Sequence, residues 1–174
     1  MTIDANFLDN LSNDLKRIVS DASEAIMGVY EKNTFDTEIK SDGSPVTEAD
    51  ESANKIIIQS LNIISPDISI VSEETYDKSD EIPNEPYWLV DPLDGTKEFI
   101  NKSKDFTVNI ALIEEGKPVY GIICAPVTGQ IWSGSRFQKS LPNDDAISTL
   151  RIVMSRSHQT KTDKEFLKFI ESLG

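Results

Sequence analysis

The chain opens on a run whose apolar positions recur at helical spacing. Phe7, Leu8, Leu11, Leu15, Ile18, Val19, Ala22, Ala25, Ile26 and Val29 form one stripe through residues 4–32, with polar and charged residues between them. That period predicts a long amphipathic helix with one face on a core. The stretch "NTFDTEIKSDGSPVTEAD" breaks the period and is rich in turn formers, so it reads as a loop or irregular hairpin. Helical spacing returns in "EADESANKIIIQSLNII". Thr47 or Ser44 is placed to cap this second helix, whose acidic first turn suits the helix dipole.

Alternation then replaces the helical period. "ISIVSEE" and "PYWLVD" each read as a short buried strand closed by carboxylates. "FTVNIALIEEGKPVYGIICAPVTGQIWSGS" reads as a three-strand meander, turning at Glu115-Gly116 and again at Thr128-Gly129. "LRIVMSRSH" reads as one more strand, and "KTDKEFLKFIESLG" as a helix with Phe166, Phe169 and Ile170 on one face.

Composition narrows what such a chain does. Its 174 residues suffice for a core that buries about 70% of the unfolded surface. Hydrophobic residues at 38% and charged residues at 27% match an ordinary globular protein and argue against disorder. A net charge of −13 without a Lys/Arg cluster argues against a nucleic-acid polymer as partner. A small anion remains possible where metal ions make an acidic site positive. No apolar run approaches the roughly 20 residues of a membrane span, and "MTIDANFLDN" has neither the basic nor the apolar region of a cleaved secretory signal. The expectation is a cytoplasmic protein, with peripheral membrane association left open and no oligomeric state indicated. The single Cys124, inside "VYGIICAPV", reads as a buried small hydrophobe.

The chemistry concentrates in "YWLVDPLDGTKEF", where an apolar run meets Asp91 and Asp94. Two carboxylates at the end of a buried strand repel and lose solvation unless a cation lies between them. The competing reading is a type I turn, because Asp, Pro and Gly all favour turns. Glu73 and Glu74 close the preceding strand, and neighbouring strand ends would gather all these carboxylates. Such hard oxygen ligands suit Mg²⁺, Mn²⁺ or Ca²⁺, whereas one His and one Cys leave no zinc site. Acidic loops facing solvent are the plain alternative. Three other site types fail on spacing. An EF-hand with its glycine at Gly95 would start at Val90, which is no ligand. Asp91 and Asp94 are three apart, not the two of "DxDxT". His158 lies in "SRSH" without a nucleophile elbow.

"WLVDPLDGT", preceded by "SEE" and by "SPVTEAD", resembles the lithium-sensitive, magnesium-dependent phosphatases that include inositol monophosphatase and fructose-1,6-bisphosphatase. "SPVTEAD", "DPLDGTKEFI", "FTVNIALIEEGKPVYGIICAPV" and "SRSH" are most similar to the 3'(2'),5'-bisphosphate nucleotidase branch, with Lys97 and Glu98 where inositol monophosphatases tend to carry threonine and asparagine. The resemblance implies an α+β fold, the layered α/β sandwich of the inositol monophosphatase and sugar phosphatase type. It implies Glu73, Asp91, Asp94 and the Leu93 carbonyl as metal ligands, with Glu74 less directly involved. Asp94 and the N–H groups of Gly95 and Thr96 would hold substrate phosphate. Asp50, Thr96 and Glu73 would orient the attacking water. The implied cofactor is Mg²⁺, two or three ions, with Mn²⁺ able to substitute and Li⁺ inhibitory.

The implied reaction removes the 3'-phosphate of 3'-phosphoadenosine 5'-phosphate, giving AMP, in sulfur assimilation or nucleotide recycling. An inositol monophosphatase-like activity and a catalytically silent metal-binding module are the alternatives. The resemblance covers the first two-thirds of such an enzyme. Trp88 and Trp132 are the only tryptophans, and neither precedes the aspartate of the family's later "WD" ligand motif. The expected organisation is therefore a metal- and phosphate-binding region at 1–145 and the start of a truncated second half at 146–174. Ile152, Val153, Phe166, Phe169 and Ile170 would then be partly exposed and activity impaired.

Overall fold

Asp4 starts the first helix: its Oδ1 accepts the Phe7 N–H at 2.8 Å, satisfying a donor that has no partner within the helix. In this computed structural model, which describes residues 3–32, 36–39, 45–77, 79–138 and 161–171, α1 then runs Ala5–Tyr30. Leu8, Leu15, Ile18, Val19, Ala22 and Ile26 are buried along the expected stripe, while Phe7 and Ala25 at its margin are half-buried. Strands β1 (Thr37–Ile39) and β2 (Pro45–Thr47) pair antiparallel, in keeping with the hairpin alternative of the loop-or-hairpin reading, and β2 leads straight into α2 (Glu48–Ile64). Thr47 caps α2. The expected alternative cap, Ser44, lies outside the described residues, as does the segment "LRIVMSRSH" with Ile152, Val153 and His158.

A five-stranded sheet follows, with β3 (Ser69–Ser72), β4 (Tyr87–Asp94), β5 (Thr107–Glu114), β6 (Lys117–Ala125) and β7 (Gln130–Ser135) side by side in chain order. The β3/β4 pair is parallel and the other pairs are antiparallel. A single turn of helix, α3 (Thr96–Ile100), separates β4 from β5. Glu115 and Gly116, with φ of 52° and 71°, make the two-residue turn between β5 and β6, where left-handed backbone matches the twist of a tight hairpin.

Trp88, Val90, Val108, Ile110, Leu112, Ile122 and Cys124 alternate onto one buried face, against which α1 and α2 pack. Trp88 Nε1 donates to Ser65 Oγ at 2.8 Å, and that hydroxyl donates to the Leu61 carbonyl at 2.9 Å, so the largest core side chain leaves no donor unmet. Cys124 is buried as expected, with the Ser23 hydroxyl 3.2 Å from its sulfur. The opposite face exposes Leu89, Ile123 and Trp132.

The chain divides into two units, Met1–Lys139 and Ser140–Gly174. The expected boundary at 145/146 falls outside the described residues. In the second unit α4 (Lys161–Glu171) is the anticipated helix, with Phe166 and Phe169 exposed and Ile170 half-buried. No helix among the described residues is long and apolar enough to cross a membrane.

Candidate active site

Strand pairing brings the carboxylates together. Ser72 pairs with Val90 in the parallel β3/β4 ladder, and the Glu73 N–H donates to the Val90 carbonyl at 3.0 Å. Glu73 therefore stands beside Asp91 at the carboxyl ends of two neighbouring strands. Asp94 is placed by an irregularity. Asp91 pairs with Asn109 but Asp94 with Thr107, so β4 carries one more residue than β5 between these points. In a regular strand, residues three apart face opposite sides of the sheet. The extra residue restores the phase and returns Asp94 to the side of Asp91. Pro92, which has no N–H to offer a ladder, sits within this bulge. The "DPLD" stretch is thus a bulged continuation of β4, not a turn leaving it.

Asp91 bears the electrostatic cost of this arrangement. Burial, the neighbouring charges of Glu73 and Asp94, and a hydrogen bond with Glu73 together push its carboxyl up to about 7, although the Leu93 N–H acts in the opposite direction. Its buried Oδ1 has no hydrogen-bond partner among the described residues. Glu73 and Asp94 are exposed and Glu74 is half-buried. Among the described residues, no three Asp, Glu, His or Cys side chains converge closely enough to cage an ion as they stand. A partnerless buried carboxylate oxygen beside two further carboxylates nevertheless fits a hard divalent cation, which would replace mutual repulsion by attraction.

The second half of the site is held by α2. The Thr47 N–H and Thr47 hydroxyl both donate to Asp50 Oδ2, at 2.8 and 2.6 Å, while Thr47 Oγ1 accepts the Ala49 N–H at 3.2 Å. This capping box fixes Asp50 in the first turn of α2. Its other oxygen, Oδ1, faces the Thr96 hydroxyl at 3.2 Å. The Leu93 carbonyl lies at the same 3.2 Å from that hydroxyl. Burial raises the Asp50 carboxyl above its ordinary value, and the bonds from Thr47 and Thr96 counter it. Gly95, at φ +95°, makes the bend into α3; a Cβ there would stand 2.8 Å from the Asp105 carbonyl.

The structure therefore brings Glu73 beside Asp91 and Asp94, and Thr96 beside Asp50 and the Leu93 carbonyl. Three neighbours escaped the sequence reading. Asn109 pairs with Asp91, and its amide donates to Asp94 Oδ2 at 3.4 Å. Its only sequence signal is an amide in the outward-facing alternation of "FTVNIAL". Asn54 and Ser72 are buried together, with the Ser72 hydroxyl donating to Asn54 Oδ1 at 2.7 Å. A cavity of about 430 Å³ opens beside Glu73 and Asp91, walled by Val71, Tyr76, Tyr87 and Leu89.

Comparison with known proteins gives one consistent result. The model of the inositol monophosphatase family matches residues 8–170. The 3'(2'),5'-bisphosphate nucleotidase CysQ of Salmonella typhimurium is 41% identical over 169 residues, spanning 91% of this chain and 67% of that protein. The crystal structure of CysQ from Bacteroides thetaiotaomicron, a bacterial member of the same family, superposes with a TM-score of 0.67 at 29% identity, over 93% of this chain and 69% of that one. An IMPase/NADP phosphatase solved with Mg²⁺ and phosphate shares the fold, with a TM-score of 0.64 at 21% identity, over 75% of this chain and 49% of that one. The chain thus spans about two-thirds of the length of the curated relatives it matches and about half of some solved neighbours. With its ordered motifs, sheet and neighbours in agreement, the chain belongs to the inositol monophosphatase family.

Proposed function

We propose that this chain is the metal- and phosphate-binding part of a Mg²⁺-dependent 3'(2'),5'-bisphosphate nucleotidase, which removes the 3'-phosphate of 3'-phosphoadenosine 5'-phosphate to leave AMP. The observation that carries the reading is Asp91: a carboxyl raised to about 7, with a buried oxygen that has no partner among the described residues, between Glu73 and Asp94. Similarity to CysQ supports the substrate, and the Mg²⁺ and phosphate in the neighbouring IMPase/NADP phosphatase support the cofactor. Glu73, Asp91, Asp94 and the Leu93 carbonyl would hold two or three Mg²⁺ ions, with Mn²⁺ a substitute and Li⁺ an inhibitor. Bound there, these ions supply charge neutralisation and Lewis acidity toward the phosphate ester.

The remaining roles fall to the chain's own groups. The N–H groups of Gly95 and Thr96, at the bend into α3, would bind the phosphate oxygens beside Asp94, which would hold a metal ion. Asp50 accepts the Thr96 hydroxyl proton, which leaves the Thr96 oxygen lone pairs turned outward to accept a proton from the attacking water. Glu73 fixes that water from the other side, and no side chain needs to be phosphorylated. The substrate is a small cytoplasmic nucleotide.

Phosphate release from 3'-phosphoadenosine 5'-phosphate and from inositol monophosphate, measured with and without Mg²⁺, tests this reading. Mg²⁺-dependent turnover of the nucleotide that is lost in Asp91→Asn supports it. Equal turnover of both substrates overturns the nucleotidase assignment. Turnover that is indifferent to Mg²⁺ overturns the metal reading.

A further inference from the structure

Asp50 and Asn54 are one helical turn apart on α2, and both are buried. Residues spaced by four share a helix face, so α2 presents two polar side chains, one above the other, toward the sheet. Asp50 reaches Thr96, at the start of α3. Asn54 reaches Ser72, the last residue of β3, whose hydroxyl donates to Asn54 Oδ1 at 2.7 Å. The proposed function uses the first of these contacts and has no use for the second.

The position of Ser72 gives the second contact its meaning. β3 is only four residues long and forms one edge of the five-stranded sheet. Beyond Ser72 a single ladder bond continues, from the Glu73 N–H to the Val90 carbonyl, and the chain then turns away. The Ser72 carbonyl accepts that turn, from the Thr75 N–H at 3.1 Å and the Tyr76 N–H at 2.8 Å. Ser72 is thus the pivot on which Glu73 is carried, at the end of a strand too short to hold its own terminus against fraying. Its side chain has no exposed surface, and Asn54 is nearly as buried, so breaking this bond leaves an unsatisfied polar group in the interior.

We propose that Asn54 is a positioning residue for the cation site: through Ser72 it locks the end of β3, holding Glu73 in register with Asp91. The helix face that sets Thr96 through Asp50 thereby sets Glu73 through Asn54, and the two halves of the site share one rigid ruler. The inference rests on the reading of Glu73 and Asp91 as metal ligands.

The test is Mn²⁺ binding to the full 174-residue chain, followed by electron paramagnetic resonance, beside thermal melting of the metal-free protein. Asn54→Ala and Ser72→Ala should each weaken Mn²⁺ binding about tenfold, as loss of groups that orient ligands does elsewhere. The double variant should be no weaker than either single one, because both act through one bond. Ser72→Thr, which keeps the hydroxyl on a strand-favouring side chain, should restore binding even if both alanine variants melt early. Unchanged Mn²⁺ affinity in folded Asn54→Ala, additive losses in the double variant, or failure of Ser72→Thr to bind better than Ser72→Ala would each overturn the inference while the metal reading stands. A wild-type chain with no Mn²⁺ affinity, or with affinity indifferent to Asp91→Asn, would overturn the metal reading and this inference with it.

Discussion

The Thr96 hydroxyl and the carboxylate of Asp50 meet at 3.2 Å across 46 residues of sequence. The hydroxyl has one proton and two acceptors at equal distance, Asp50 Oδ1 and the Leu93 carbonyl. Asp50 is itself held by two donors from Thr47 on its other oxygen. An Asp50 carboxylate, when charged, is the stronger acceptor of the two, so its charge decides where the Thr96 proton points. The cap of α2 and the polarity of Thr96 are therefore one hydrogen-bond system.

Asp50→Asn separates the two duties of that carboxylate. The amide keeps the shape but can oppose Thr47 with its oxygen only by turning its NH₂ toward Thr96, which reverses the bond and sends the hydroxyl proton to the Leu93 carbonyl. Replacing charge-assisted bonds by neutral ones should cost about 1–2 kcal/mol of stability, measurable by urea unfolding. Mg²⁺-dependent kcat should fall more than about tenfold with KM little changed, since loss of a positioned proton acceptor acts on the chemical step.

The raised carboxyl of Asp91 makes the stability of the metal-free chain depend on pH. Its folded value of about 7 stands above the ordinary 3.8, so between these limits the folded state holds a proton that the unfolded state has lost. The stabilisation is complete below about 4 and disappears as pH rises through about 7. Metal-free protein should melt several degrees higher at pH 5 than at pH 8, roughly the shift that a few kcal/mol produce in a chain of this size. Asp91→Asn should flatten that slope, and saturating Mg²⁺ should raise the melting temperature at pH 8 in the parent alone. Equal slopes in parent and variant, compared by differential scanning fluorimetry, would contradict this assignment.

Much of this arrangement is legible in the sequence. Helical spacing marked α1 and α2, because their buried residues recur on one face against polar neighbours. The Glu115-Gly116 turn was readable because few residue pairs tolerate left-handed backbone in a two-residue hairpin. The carboxylates of "SEE" and "DPLD" were visible as strand ends, but their convergence depends on β3 lying parallel to β4 and on a bulge at Pro92. Register and bulges are set by pairing between strands, and no local pattern records them. Asn54, Ser72 and Asn109 were missed for a related reason: a single polar residue in an amphipathic segment looks like surface until its partner across the fold is known.

Gly95→Ala should be severe. The bend into α3 holds φ at +95°, and a methyl group there would meet the Asp105 carbonyl at 2.8 Å and the Phe106 Cα at 3.3 Å. Both contacts are backbone, which cannot swing aside as a side chain can. The strained conformation alone costs about 1–3 kcal/mol. Unfolding by urea should show a loss at least that large, and inorganic phosphate should no longer protect the Gly95–Thr96 amides from hydrogen exchange in the presence of Mg²⁺. Gly116→Ala serves as the contrast: it is also left-handed at φ +71°, but has nothing within 4 Å of its Cβ. It should lose stability from backbone strain alone and keep the phosphate effect.

Tyr30→Phe tests how the bend is supported from behind. The Tyr30 hydroxyl donates to the carbonyls of Lys102 and Ser103, at 2.9 and 3.2 Å, and the Lys102 ammonium reaches back to the carbonyls of Tyr30 and Lys32 at the end of α1. That cation also lies 4.7 Å above the Tyr30 ring, and the ring packs on Phe99 of α3 and on Phe106 at 5.4 and 5.2 Å between centroids. Phe106 follows the very carbonyl that Gly95 must clear. Phenylalanine keeps the ring stack and the Lys102 bonds and removes only the hydroxyl, so the core should hold while the 101–105 loop loses one of its ties to α1. The expected cost is about 1 kcal/mol in urea unfolding. Because the loop backs the bend proposed to bind phosphate, KM for the bisphosphorylated nucleotide should rise while kcat changes less, and a variant with unaltered KM would show that the bend is set by Gly95 and the Phe99–Phe106 contact alone.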